Sequence, residues 1–299
     1  MPLDPEVQAY LDSQRGLPPR SSLTVEQTRA AYLRMRVLAG KPPELHSVED
    51  AAIGGTLGVR RYRPAAELPP AIALYFHGGR FFSGDLDTHD RVCRSLAVAA
   101  GCEVVAVDYR LGPEDRFPAA VEDAFAAVEW AAAQAPRVAV AGDSAGANLA
   151  AVAALAARDR GGPRLACQVL VYPMLDATCS LPSHREFASG YGPGSADMQR
   201  GYREYLPEGA DLRHPYISPL FAPDLRGLPP ALVLTAGYDS LRDEGEAYAL
   251  RLQEAGVPVS MHRYDGTVHG FFQLGGVISA GRAAIAEAGA FLNAHLAAK

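Results

Sequence analysis

From residue 71 onward, short apolar runs alternate with longer stretches of helical period. The runs are Ala71–Phe76, Glu103–Val107, Arg137–Ala141, Cys167–Tyr172, Pro230–Thr235 and Val259–Tyr264. Each is short and bounded by turn residues, which predicts a strand buried on both faces. Helical patterns fall at about 88–100, 119–133, 148–157, 244–255 and 280–296. Strand alternating with helix predicts an α/β protein with a mostly parallel sheet covered on both faces. Val48–Ile53 and Leu57–Arg63, joined by Gly54-Gly55, add a hairpin and bring the expected sheet to eight strands.

Two segments stand outside the alternation. Residues 1–44 carry a short helical pattern at Pro5–Leu11 and a second from Val25, behind the cap residues Ser22 and Thr24. Residues 176–215 form a long excursion rich in Gly, Pro, Tyr and Arg, with one helical stretch near 196–205. Such excursions are usually functional. Both segments are expected to lie over the C-terminal strand ends, where open α/β sheets bind ligands. The expected division is a cap from 1–44 and 176–215 on a catalytic domain of 45–175 and 216–299.

Composition narrows the classes without changing this picture. Hydrophobic content of 48% leaves ample residues for a core, and a net charge of −6 without a Lys/Arg cluster speaks against a nucleic-acid partner. No apolar run is long enough to span a bilayer, and residues 1–7 lack the basic and apolar regions of a secretory signal. Cys93, Cys102, Cys167 and Cys179 show no paired spacing. Reduced thiols in a cytoplasmic protein are expected.

The chemistry centres on Gly142-Asp-Ser-Ala-Gly146, between the Arg137 strand and the Ala/Leu-rich helix after it. Glycines flanking Ser144 permit a sharp strand-to-helix turn that lifts the hydroxyl to a helix N-terminus, the context in which G-x-S-x-G marks a nucleophile. A serine needs a base, and the order in such folds is serine, acid, histidine. His269, in a loop a few residues past the last strand, is the candidate base. Asp239, just past Pro230–Thr235, is the candidate acid that orients it. Asp243 falls at a helix start, where a carboxylate has reason enough to sit, and Asp265 is too close to the histidine loop. Attack on a carbonyl needs N–H donors for the developing oxyanion. Ala145 supplies one amide, and the turn His77-Gly78-Gly79-Arg80 after the first central strand supplies others.

These residues, with several longer stretches, resemble a bacterial member of the hormone-sensitive-lipase-like esterases of the α/β-hydrolase fold. The stretches are Tyr75–Gly79, Asp108–Glu114, Phe117–Asp123, Gly142–Gly146, Ser218–Leu220, Leu228–Pro230, Asp239–Gly245 and His269–Phe271. The resemblance implies a Ser144–Asp239–His269 triad and oxyanion donors at Gly79, Arg80 and Ala145, with Gly78 at the approach. It implies a structural His77, a helical cap, no metal and no cofactor. The implied reaction is hydrolysis of short-chain esters through an acyl-enzyme, with a homodimer through the last strand or helix. An acyltransferase or lactonase would use the same residues; a silent ligand-binding relative would lack His269. Phe81, Phe82, Phe187, Tyr191, Tyr202, Tyr205 and Phe271 are candidates for the substrate pockets.

Two positions depart from the family pattern. Ser240 stands at a usual proline and Arg80 at a usual third glycine. Arg80 either points away to a cap or core carboxylate such as Asp85 or Glu114, or binds a substrate carboxylate or narrows the acyl pocket. The charged groups of 108–114 and Glu122-Asp123 are expected to form ion pairs behind the site.

Overall fold

A computed structural model describes residues 2–18 and 20–297, so Met1 and Pro19 of the expected 1–44 segment lie outside the described residues. The expected sheet forms. Its strands are β1 (Ser47–Ile53), β2 (Leu57–Arg63), β3 (Ala71–Phe76), β4 (Glu103–Val107), β5 (Arg137–Asp143), β6 (Gln168–Val171), β7 (Ala231–Tyr238) and β8 (Val259–Val268). They pair in the order β1-β2-β4-β3-β5-β6-β7-β8. The β1–β2 and β2–β4 pairings are antiparallel, and all others are parallel.

Alternation along the central strands divides the core between two faces. Ile72, Leu74 and Phe76 of β3 face α4 (Ala119–Gln134) and α5 (Ala145–Asp159), while Ala71, Ala73 and Tyr75 face α3 (Leu86–Ala100) and α9 (Ser279–Leu296). Small residues on the central strands and in α5 let the helices approach closely. Every α5 residue from Ala145 to Ala157 is buried, the expected result for a helix apolar on all sides. The remaining helices are α1 (Pro5–Ser13), α2 (Val25–Met35), α6 (Ser183–Glu186), α7 (Ser195–Tyr205) and α8 (Arg242–Glu254). Thr24 starts α2 with a capping box: its hydroxyl accepts Gln27 N at 3.1 Å, and Gln27 Oε1 accepts Thr24 N at 2.9 Å.

The last strand differs from expectation. Asp265-Gly266 reads as a turn, yet β8 runs on to Val268, which pairs with Tyr238 beyond an irregularity in the β7–β8 register. Gly237 absorbs the irregularity, because a Cβ there would overlap the Asp265 carbonyl. His269 therefore follows its strand directly instead of sitting out in a loop.

Candidate active site

Four strand ends converge. The C-terminal ends of β3, β5, β7 and β8 deliver His77–Arg80, Ser144, Asp239 and His269 in turn. Ser144 is the single residue between β5 and α5, at φ 55° and ψ −118°. A non-glycine residue there stores on the order of 1–3 kcal/mol and persists only when its surroundings over-determine it. Ser144 N donates to Val171 O at 2.9 Å, and Ser144 O accepts from Asn148 N at 3.1 Å and Met174 N at 3.2 Å. Both flanking glycines are obligatory. A Cβ on Gly142 would overlap Gly146, and one on Gly146 would overlap the Phe76 carbonyl.

One hydrogen-bonded chain joins the three side chains. His269 Nδ1 donates to Asp239 Oδ2 at 2.8 Å, and His269 Nε2 lies 3.1 Å from Ser144 Oγ. A proton on Nδ1 leaves Nε2 of the neutral ring as the acceptor facing the hydroxyl. Leu241 N donates to the second Asp239 oxygen at 2.9 Å, which fixes the carboxylate plane. Asp239 is 1% exposed and Ser144 3%, so the chain is largely shielded from water. The Tyr172 ring, 4.6 Å from the imidazole, packs against it. Asp243 stands in the first turn of α8, accepting Ser183 N at 2.8 Å and Arg242 Nε at 2.9 Å. Asp265 lies within β8.

The loop after β3 sits beside Ser144. Gly78 N donates to Asp143 Oδ1 at 2.9 Å, so Gly78 is a tether between the loop and the serine turn. Among the described residues, the amides of Gly79, Arg80 and Ala145 have no hydrogen-bond acceptor. The Gly79, Arg80 and Phe81 φ angles are 138°, 59° and 64°. His77 is buried; burial first, and His89 second, push its pKa down to about 4. Its Nδ1 donates to Gly78 O at 2.9 Å, its carbonyl accepts Tyr109 OH at 2.6 Å, and its ring stacks on Tyr109. The neutral ring thus braces the loop.

Asp143 is the residue whose part the sequence reading missed, although it stands inside the quoted motif. Beyond Gly78 N, its carboxylate accepts Tyr75 OH at 2.8 Å, Gln273 Nε2 at 2.7 Å and Tyr172 OH at 3.3 Å. His89 Nε2 lies 3.3 Å away. Burial pushes this carboxyl up, but the nearby His89 imidazole and the hydrogen bonds from Tyr75 and Gln273 hold it well below the usual range. Its partners come from strand, loop and late chain, so only the fold brings them together.

Arg80 pairs with a carboxylate of the 176–215 segment, as one reading expected, but with neither of the two carboxylates named for it. Asp85 caps α3 by accepting Thr88 N at 2.7 Å, and Glu114 holds Arg29 at 2.6 Å. Arg80 Nη1 instead lies 3.5 Å from Asp197 on α7, with its guanidinium over the Phe82 ring. Glu122 and Asp123 do form ion pairs, with Arg160 and Arg110. Asp108 forms none among the described residues. Burial, then Asp85, raise its carboxyl. Of the pocket candidates, Phe81 stacks on Tyr205 at 4.1 Å and lies 5.9 Å from Tyr202. Phe271 packs against Tyr172 and Tyr264. Phe187 and Tyr191 gather on Tyr238, next to Asp239. Among the described residues no three or more His, Cys, Asp or Glu side chains are grouped to hold a metal ion, and no helix is long and apolar enough to cross a membrane.

Residues 73–273 match a family model described as alpha/beta hydrolase fold. The chain is 40% identical to the carboxylic ester hydrolase LipN of Mycobacterium tuberculosis, over 98% of this chain and 83% of that protein. It is 38% identical to an ethyl acetate hydrolase of Pseudomonas putida, over 93% of this chain and 94% of that one. An ester hydrolase from the Lake Arreo metagenome, solved with a bipyridine phosphonate derivative, superposes with a TM-score of 0.92. Its identity is 42%, over 98% of this chain and 99% of that one. With the four-strand convergence and the serine turn already described, these matches place the chain in the hormone-sensitive-lipase-like family of α/β hydrolases.

Proposed function

We propose that this protein is a serine carboxylesterase that hydrolyses short-chain carboxylic esters through an acyl-enzyme. The observation that carries the reading is the unbroken Ser144–His269–Asp239 chain, which ends beside three amides without acceptors. His269 Nε2 takes the Ser144 proton as Oγ bonds to the ester carbonyl carbon. The carbonyl electrons move onto oxygen, which accepts from the Gly79, Arg80 and Ala145 amides. Collapse breaks the bond to the alcohol, and the departing oxygen takes the proton from Nε2. Water then repeats the sequence on the acyl-enzyme and restores Ser144. Asp239 stays ionised and stabilises the imidazolium.

Small acyl groups fit the near-complete burial of Ser144, and a related enzyme is named for ethyl acetate. In this reading residues 1–44 and 176–215 form the cap that encloses the site, in a cytoplasmic enzyme. A dimer through β8 fits that strand's place at the sheet edge, with residues 260–263 exposed. Light scattering would show twice the 31.7 kDa chain mass; a monomer at micromolar concentration would refute the dimer. The activity itself is tested by short-ester turnover in the wild type and in Ser144→Ala, where loss in the variant is the expected result.

A further inference from the structure

Arg80 occupies a position where a glycine would be free of strain. At φ 59°, followed by Phe81 at φ 64°, the loop holds two consecutive non-glycine residues in the strained left-handed region. Something outside the loop must hold them. One face of α7 does so: Asp197, Gly201 and Tyr205 are spaced four apart, so they align along that face. Asp197 Oδ1 lies 3.5 Å from Arg80 Nη1. The backbone of Gly201 rests on Arg80 itself, because an added Cβ would come within 2.8 Å of Arg80 Cβ and 2.9 Å of its carbonyl oxygen. The Tyr205 ring stacks on Phe81 with an interplanar angle of 8°.

The pairing with Asp197 also has a charge reason. Arg80 is 7% exposed, and burial lowers its pKa to about 10 against the opposing pull of Asp197. The neighbouring cations Arg20 and Arg200 add to the destabilisation. Asp197 is therefore the carboxylate that keeps this guanidinium in place. Without it, a buried and repelled cation has every reason to swing toward water, which frees the strained backbone to relax.

We propose that Arg80 and Asp197 are positioning residues: their contact clamps α7 onto the loop after β3 and keeps the Arg80 amide aimed at the oxyanion. The proposal rests on the esterase reading and adds to it a role for the side chain at the usual third-glycine position. An oxyanion donor contributes more to the transition state than to the bound ester. Weakening the clamp therefore lowers kcat and leaves KM nearly unchanged.

The test is a double-variant cycle on a short chromogenic ester, below the melting temperature of every variant. Asp197→Asn keeps the oxygen that caps α7 by accepting Gly194 N but loses the charge. It should lower kcat by about 10- to 100-fold, part of what loss of a whole donor costs, with KM within about twofold. In an Arg80→Gly background, where glycine adopts the loop conformation without strain, Asp197→Asn should cause no further loss. Asp197→Ser, which also keeps a cap, should repeat the pattern if the asparagine variant folds poorly. The clamp is overturned if kcat is unchanged in Asp197→Asn, or falls equally in both backgrounds. Ser144→Ala, run alongside, separates the two claims. If it is inactive while Asp197→Asn matches wild type, the clamp alone fails. If Ser144→Ala keeps turnover, the esterase reading and the clamp fail together.

Discussion

A single carboxylate, Asp143, links the two halves of the site. It precedes Ser144 in the chain and holds the Gly78 amide of the facing loop, so the serine turn and the loop of the proposed oxyanion donors share one anchor. Asp143→Asn keeps one neutral acceptor for Gly78 N and Tyr75 OH and turns an amide donor toward Gln273 Nε2 and Tyr172 OH. Loss of one partner from a buried charged network costs about 3–5 kcal/mol, and kcat should fall by at least about tenfold as the loop shifts. The pH dependence follows from the sign of the shift. The folded carboxyl lies below its unfolded value of 3.8, so its contribution is present above pH 3.8 and is lost as pH falls through the folded value. Urea unfolding should show the gap between wild type and Asp143→Asn narrowing below about pH 4; a gap that widens there would refute the assignment. This role was illegible in the sequence because the partners stand at 75, 78, 89, 172 and 273. Ser144 itself was legible, since its strand, turn and helix are contiguous.

At the scale of elements, the pairing of β7 with β8 sets the distance between Asp239 and His269. Both residues follow directly on their strands, and the register between those strands shifts at Gly237. Gly237→Ala would push a methyl into the Asp265 carbonyl and force the strands apart just before both side chains. The expected result is a loss of about 2 kcal/mol or more in stability, typical of strain at a crowded position, with a fall in kcat of at least about a hundredfold from misplacement. Thermal unfolding and steady-state kinetics on the same sample check this, and a variant of unchanged kcat would contradict it. Strand and helix order was legible from periodicity alone, because buried parallel strands read as continuous apolar runs. The end of β8 was not, because Asp265-Gly266 carries a turn signal that tertiary pairing overrides. The Arg80 partner was also hidden. Asp197 lies 117 residues away, in a segment whose placement no local pattern dictates.

Over the whole molecule, the mostly parallel sheet brings the candidate site residues from positions 77 to 269 to the C-terminal ends of β3, β5, β7 and β8, and α2 and α7 contact the loop after β3. Arg29 of α2 donates to the Phe82 carbonyl at 2.9 Å, while Asp197 of α7 faces Arg80. In the proposed mechanism Ser144, activated by His269, attacks ester carbonyls. Its most direct test is hydrolysis of p-nitrophenyl butyrate by the wild type and Ser144→Ala at matched concentration and confirmed fold. Wild-type turnover is expected, with a fall in kcat of about 10⁴-fold or more in the variant, the scale on which serine nucleophiles act. A variant that keeps more than about a hundredth of that turnover, or a wild type that hydrolyses no short ester, would contradict it.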